Sequence, residues 1–169
     1  MSPNESTEVE VVGVRIEMPS NQPIVLLKEI GGSRFLPIWV GANEATSIAF
    51  AQQGLTPNRP LSHDLMQSMV LALNARVELV EVTHLDNGVF FAQVSLKVDG
   101  GETKVVSARP SDAIALALRS SARIEVSTRL LDEAGINIPE SSTPGGGSDQ
   151  EVERFREFLD QINPEDFAS

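Results

Sequence analysis

The chain has no cysteine, no tyrosine, a single tryptophan and only 13 basic residues against 24 acidic ones. Lack of cysteine excludes a disulfide scaffold and any thiolate zinc site. Apolar runs are short and interrupted, so no segment reads as a membrane span. The first residues are acidic and polar, without the basic and apolar regions of a signal peptide, and the expected compartment is the cytoplasm. A net charge of −11 argues against tight passive binding of nucleic acid, which Lys and Arg drive. No basic stripe with interleaved aromatics offsets that shortage.

The charge is unevenly spread. Residues 1–10 hold three acids and no base, and residues 149–169 hold seven acids and two bases. The body between them keeps 14 acids and 11 bases, a balance of −3. An enzyme that meets a polyanion briefly, through a metal ion, is compatible with that balance.

A chain of 169 residues fits one domain with a real core. The pattern predicts strands over Val9–Glu17, Ile24–Leu27 and Phe35–Val40, with Pro37 marking an edge or a bulge. A helix follows over Asn43–Gln53, with Asn43 as its cap and Gly54 as its stop. A second helix runs over Ser62–Asn74, where Leu65, Met66, Met69, Val70 and Leu73 share one apolar face, expected to be core. Next comes a strand over Val77–Thr83 and a hairpin signal at Asp86-Asn87-Gly88. Then Phe90, Ala92, Val94, Leu96 and Val98 alternate inward. The strand Thr103–Ser107, a helix over Pro110–Ser120, a strand over Ile124–Ser127 and a helix near Arg129–Ala134 finish the body.

The order hairpin, strand, helix thus occurs twice, and Ile48-Ala-Phe-Ala51 parallels Ile114-Ala-Leu-Ala117. Internal duplication is the expectation, in an α+β domain with a mostly antiparallel sheet. Domain limits are read as a flexible acidic start over 1–8, the body over 9–138, a Pro/Gly/Ser linker over 139–148, an amphipathic helix over 149–163 and a tail over 164–169. In that last helix Val152, Phe155, Phe158, Leu159 and Ile162 form a stripe that needs a surface to dock on. The body, a second subunit or a partner could each provide it, with the body or a homo-oligomer favoured.

Polar residues gather at predicted helix starts. In Ser107–Arg119 a strand end leads through a polar turn into an Ala-rich helix. Pro110 suits the first turn, where its missing N–H costs nothing, and Ser111 and Asp112 suit a cap and the positive helix end. Ordinary helix-start chemistry accounts for all three. Arg109 reads equally as a local ion-pair partner of Asp112 or as a phosphate ligand. His63 and Asp64 follow Ser62 at another helix start, Glu44 sits at a third, and Arg59 next to Pro60 reads as a loop anchor. Trp39 reads as core. No His-Glu-x-x-His motif or P-loop is present, and a Ser/His/Asp triad cannot be argued from chain order.

Four ordered stretches carry a resemblance: Phe35-Leu-Pro-Ile-Trp-Val-Gly41, Glu44-Ala45, Arg59-Pro-Leu-Ser-His-Asp-Leu65 and the Ser107–Arg119 segment. Together they resemble the bifunctional nuclease family, over roughly residues 9–138. Glu153-Arg-Phe-Arg-Glu-Phe-Leu-Asp160 is similar to the tail of actinobacterial members. Relatives carry an acid where this chain has Ser107, so the resemblance gives that position no metal or acid role. The resemblance implies cleavage of RNA and DNA with low sequence specificity. Phosphodiester cleavage needs a nucleophilic water, stabilised phosphoryl oxygens and a protonated leaving group. Mg²⁺ or Mn²⁺ held by one or two carboxylates provides the first two. Asp112, Glu44 and Asp64 are the expected ligands. Asp112, His63 and Asp64 are the expected catalytic groups, since imidazole suits general acid or base work. Arg109, Ser111 and Arg59 are expected to bind the substrate. The rival expectation is a non-catalytic interaction or regulatory module acting as a homo-oligomer.

Overall fold

The computed structural model describes residues 5–138. Its elements, in chain order, are strands β1 (Ser6–Glu17), β2 (Gln22–Glu29) and β3 (Arg34–Trp39), then helices α1 (Ala42–Gln52) and α2 (Ser62–Ala72). Strands β4 (Ala75–Asp86), β5 (Val89–Val98) and β6 (Thr103–Ala108) follow, then α3 (Pro110–Ser120), β7 (Arg123–Ser127), α4 (Thr128–Ala134) and the short β8 (Ile136–Asn137). The strands form one sheet in the order β6-β5-β4-β7-β1-β2-β3-β8. Every pairing is antiparallel except that of β4 with β7. The fold is α+β with a mostly antiparallel sheet.

Local chemistry explains the turns. Asn87 and Gly88 take φ of 49° and 78° between β4 and β5, the two positive φ values that a type I′ hairpin turn needs. Pro37 pairs with Leu26 of β2 on one side. On the other side β8 pairs only with Arg34 and Phe35, so the missing N–H breaks no ladder bond there. A bulge in β1 between Val11 and Gly13 shifts its register on β2.

The duplicated order survives in the topology. From the middle of the sheet β1, β2 and β3 run outward one way and β4, β5 and β6 the other, with β7 between the halves. Strand β3 leads into α1 and β6 into α3. Counted from their helix starts, Glu44 of α1 and Asp112 of α3 are both third residues. The likeness of Ile48–Ala51 to Ile114–Ala117 is two residues out of that register, so it reflects similar buried helix faces rather than equivalent positions.

The core lies between the sheet and α1, α3 and α4. Val25, Leu27, Leu36, Ile48, Val80, Ile114, Val126 and Leu131 are all essentially inaccessible there. Ile24, Leu26, Phe35 and Ile138 form a separate apolar cluster. In β5 the alternation holds for Phe90, Ala92 and Val94, while Leu96 is only partly buried.

Helix α2 departs from expectation. Leu65, Met66, Met69 and Leu73 are exposed, and only Val70 of that predicted face packs partly against the core. The side that α2 buries carries His63. A buried polar network therefore takes the place that hydrophobic spacing assigned to methionine and leucine. The expected linker, C-terminal helix and tail lie outside the described residues.

Candidate active site

Three helices bring their ends together. Helix α1 begins after Gly41 and carries Glu44 in its first turn. Helix α2 begins after Leu61 and carries His63 and Asp64, and α3 begins after Arg109 with Pro110 at its first position and Asp112 in its first turn. The expected caps Asn43 and Ser111 are already inside α1 and α3, whose cap positions are Gly41 and Arg109. Acids near helix starts are favoured by the positive end of the macrodipole, so each carboxylate also stabilises its own helix.

Arg109 joins two of these starts. Its Nε donates to Asp112 Oδ2 at 2.8 Å, and its Nη2 donates to Asp112 Oδ1 at 3.2 Å and to Glu44 Oε1 at 3.1 Å. Glu44 and Asp112 therefore share one site, held by one guanidinium. Arg109 itself is 66 % exposed, whereas Glu44 and Asp112 are at 21 % and 25 %. Burial pushes the Asp112 carboxyl up, but hydrogen bonds from Arg109 and His63 outweigh it and hold the group below its ordinary value. Hydrogen bonding to Asp112 correspondingly raises Arg109.

Behind Asp112 runs a buried chain of donors and acceptors. His63 Nε2 lies 2.8 Å from Asp112 Oδ1, and His63 Nδ1 lies 2.7 Å from Ser47 Oγ. Arg119 Nη2 donates to Ser47 Oγ at 3.0 Å and to the Ser47 carbonyl at 3.2 Å. Ser47 Oγ accepts from Arg119 and has both a hydrogen and a second lone pair with which to meet His63 Nδ1. Where that serine hydrogen points to Nδ1, the ring donates its Nε2–H to Asp112. Although Ser47, His63 and Asp112 form a hydrogen-bonded row, Ser47 is 4 % exposed and bonded to Arg119, which is no setting for a nucleophile.

Asp64 faces a different partner. Its Oδ1 accepts from Arg119 Nε at 2.7 Å and its Oδ2 from the Leu61 backbone N–H at 2.9 Å. Arg119 chiefly holds its carboxyl below the ordinary value. Asp64 is thus linked to Asp112 only through Arg119, Ser47 and His63, and it is not brought to Arg109. Among the described residues, no three His, Asp or Glu side chains converge as a metal-ligand group. Arg59 is exposed in the loop before α2 and has no partner among the described residues.

Beside Arg109 opens a cleft of about 570 Å³, bordered also by Trp39, Gly41, Ser111 and Gly88. Ser111 is buried at the start of α3. Trp39 is half-buried at the rim, and its indole N–H donates to Glu17 at 3.3 Å. The ends of the two halves and the β4–β5 hairpin together form this wall.

Ser47 and Arg119 escaped the sequence reading. Arg119, in the last turn of α3, reads as a cation favoured by the helix C-terminus. Ser47 left one signal: it interrupts the buried face of α1 between Ala45 and Ile48.

Comparison with known proteins identifies the setting. The bifunctional nuclease domain model matches residues 25–139. The chain belongs to the bifunctional nuclease domain family. An uncharacterized protein of Mycobacterium tuberculosis is 44 % identical over 165 residues, covering 96 % of this chain and 98 % of its own length. Bifunctional nuclease 1 of Arabidopsis thaliana is 34 % identical over 131 residues, 75 % of this chain but 40 % of the plant protein. Bifunctional nuclease 2 of the same plant is 32 % identical over 120 residues, 70 % of this chain and 36 % of its own length. The matched part of this chain therefore spans well under half of each plant relative. The family match covers both α1 and α3 and so includes Glu44, His63, Arg109 and Asp112. No described helix is long and apolar enough to cross a membrane.

Proposed function

We propose that this chain is a nuclease that hydrolyses RNA and DNA phosphodiester bonds with low sequence specificity, with the helix-start cluster as its active site. One observation carries the reading: an exposed guanidinium that borders a cleft spans two partly buried carboxylates, in a domain of the bifunctional nuclease family. Arg109 presents a fork of donors that matches phosphate oxygens. Its bonds to Glu44 and Asp112 keep it at the site until substrate competes for it.

Mg²⁺ or Mn²⁺ fits the donor set in part, because such ions take one or two carboxylates and keep several waters. Glu44 and Asp112 would hold the ion, and Asp64, engaged by Arg119, would stay outside. When bound, the ion would neutralise phosphoryl charge and acidify a water. The chain's own residues do the rest. Arg109 orients the phosphate, and His63, with both ring nitrogens engaged, acts as a positioning residue for Asp112. Ser47 and Arg119 fix the ring in turn.

The test is cleavage of labelled single-stranded RNA and DNA by the purified protein with Mg²⁺, with Mn²⁺ and with chelator. Metal-dependent cleavage should vanish in Asp112→Ala and fall roughly a hundredfold in Arg109→Ala. Equal cleavage by wild type and Asp112→Ala would sink the assignment.

The rival reading is a non-catalytic interaction or regulatory module acting as a homo-oligomer. It is favoured by the way Arg109 already neutralises both carboxylates. That reading expects no cleavage and no rise in thermal stability on adding Mn²⁺, whereas a bound ion stabilises the native state by mass action. Light scattering gives the oligomeric state independently.

A further inference from the structure

Most basic residues of the body are held in ion pairs. Arg34, Lys104, Arg109, Arg119, Arg123 and Arg129 each contact a carboxylate. Arg76 and Lys97 have no ion-pair partner among the described residues, yet they stand directly opposite each other on β4 and β5. Such partners share one face of the sheet with Cβ atoms about 5 Å apart, and like charges there repel. Arg76 is exposed and Lys97 half-buried. The arrangement costs stability, and although acids outnumber bases in the chain, no described carboxylate relieves it.

The next pair along, Val77 and Leu96, packs on the core, so Arg76 and Lys97 point to the face away from the helices. Lys97 also stands opposite Thr103 of β6, which is exposed. One row across β4, β5 and β6 thus offers two cations and a hydroxyl. Arg76 and Lys97 border a cavity of about 460 Å³ with Asp99 and the Gly100-Gly101 turn. The turn leaves that space open, since a Cβ at either glycine would meet nothing within 4 Å. Asp99 makes no ion pair with either cation. Oxygens of a phosphate group accept from guanidinium, ammonium and hydroxyl alike, so the row fits one.

Its place in the fold selects the source of that phosphate. Strand β6 runs from Thr103 to Ala108 and delivers Arg109 to the helix-start cluster. Six residues of strand separate Thr103 from Arg109, about 20 Å. Phosphates of one strand recur about every 3.4 Å along a nucleic-acid helix, so this span is about six nucleotides. Strand β6 is the edge of the sheet, and no further strand bars the path. We propose that Arg76, Lys97 and Thr103 form a second phosphate site, which holds a nucleic-acid strand about six nucleotides from the phosphate at Arg109. The inference rests on the nuclease reading.

The test is binding of labelled single-stranded DNA to the full-length protein in chelator, followed by fluorescence anisotropy. Arg76→Gln/Lys97→Gln should weaken binding of a strand of about 12 nucleotides roughly tenfold and lower its salt slope by about 1.4, two contacts at about 0.7 each. A strand of about three nucleotides, too short to span both sites, should be unaffected. Lys28→Gln/Arg129→Gln removes the same charge elsewhere and should change binding less than about twofold. Asp99→Asn, which removes a repelling charge from the cavity, should tighten binding of the longer strand. Thermal unfolding of Arg76→Gln/Lys97→Gln should show a midpoint equal to or above wild type, since the repulsion is gone. No binding of the longer strand by wild type, equal losses in the two double variants, or equal losses for both strand lengths would overturn the proposal. Displacement of the strand by polyglutamate as readily as by unlabelled strand would also overturn it, in favour of an acidic peptide. Cleavage measured beside binding separates the two readings. Binding through the row without cleavage sinks the nuclease reading alone. Cleavage whose KM ignores Arg76→Gln/Lys97→Gln sinks the second site alone.

Discussion

At the scale of single residues, Asp64 and Arg119 give the clearest case of what a charge does in this fold. The Arg119 side chain is 9 % exposed and Asp64 is its carboxylate partner. Asp64→Asn would leave a buried guanidinium with only carbonyl and hydroxyl acceptors, a loss of about 2 kcal/mol at neutral pH. Arg119 lowers the folded pKa of Asp64. A depressed carboxyl contributes stability that is complete above the unfolded pKa, about 3.9, and is lost as pH falls through the lower folded value. The stability difference between wild type and Asp64→Asn should therefore be constant near neutrality and close progressively below about pH 4. Asp112 is depressed too, but it is present in both proteins and cancels. Denaturant unfolding at pH 7 and pH 3 measures the gap, and a gap that widened in acid would contradict the pairing. The sequence placed Asp64 at a helix start correctly. It could not show that Arg119, fifty-five positions away, is its partner, because such a pairing depends on how α2 packs on α3.

At the scale of elements, helix ends were the legible features and the partners of helix faces were not. Pro110 and Asp112 announced α3, the Asn87-Gly88 turn announced the β4–β5 hairpin, and alternation announced β5. Helix α2 shows where that reading stops. Its spacing named an apolar face, yet burial went to the side bearing His63, because Ser47, Arg119 and Asp112 offered polar partners there. Periodicity locates a face without saying what covers it. The end of α3 offers a separate prediction. Ser121 closes the helix at φ 54° and ψ 32°, the left-handed conformation that costs any residue with a Cβ. Exposed Ser121→Gly removes that cost, and the expected gain is about 0.5–1 kcal/mol after the extra entropy of unfolded glycine is subtracted. A rise in thermal midpoint would show it. A fall would mean that the Ser121 side chain contributes more than its backbone strain.

At the scale of the molecule, two similar halves are closed into one unit by β7. Strand β7 follows the second half, yet it lies between the halves, antiparallel to β1 and parallel to β4. Helices α1 and α3 also pack on each other, and both contribute to one core through Ile48 and Ile114. The helix-start cluster crosses the same seam, since Glu44 and Ser47 come from the first half and Arg109, Asp112 and Arg119 from the second. Neither half buries its helix face without the other, so unfolding should be a single cooperative transition. The sole tryptophan makes this testable: Trp39 lies on β3 in the first half, whereas far-ultraviolet circular dichroism reports on the whole. Ile114→Ala removes a fully buried side chain from the second half and should cost about 2–5 kcal/mol. Trp39 fluorescence and circular dichroism should shift together and by the same amount in that variant. A fluorescence transition that stayed at its wild-type midpoint while circular dichroism moved would show that the halves unfold separately, and that β7 does not couple them.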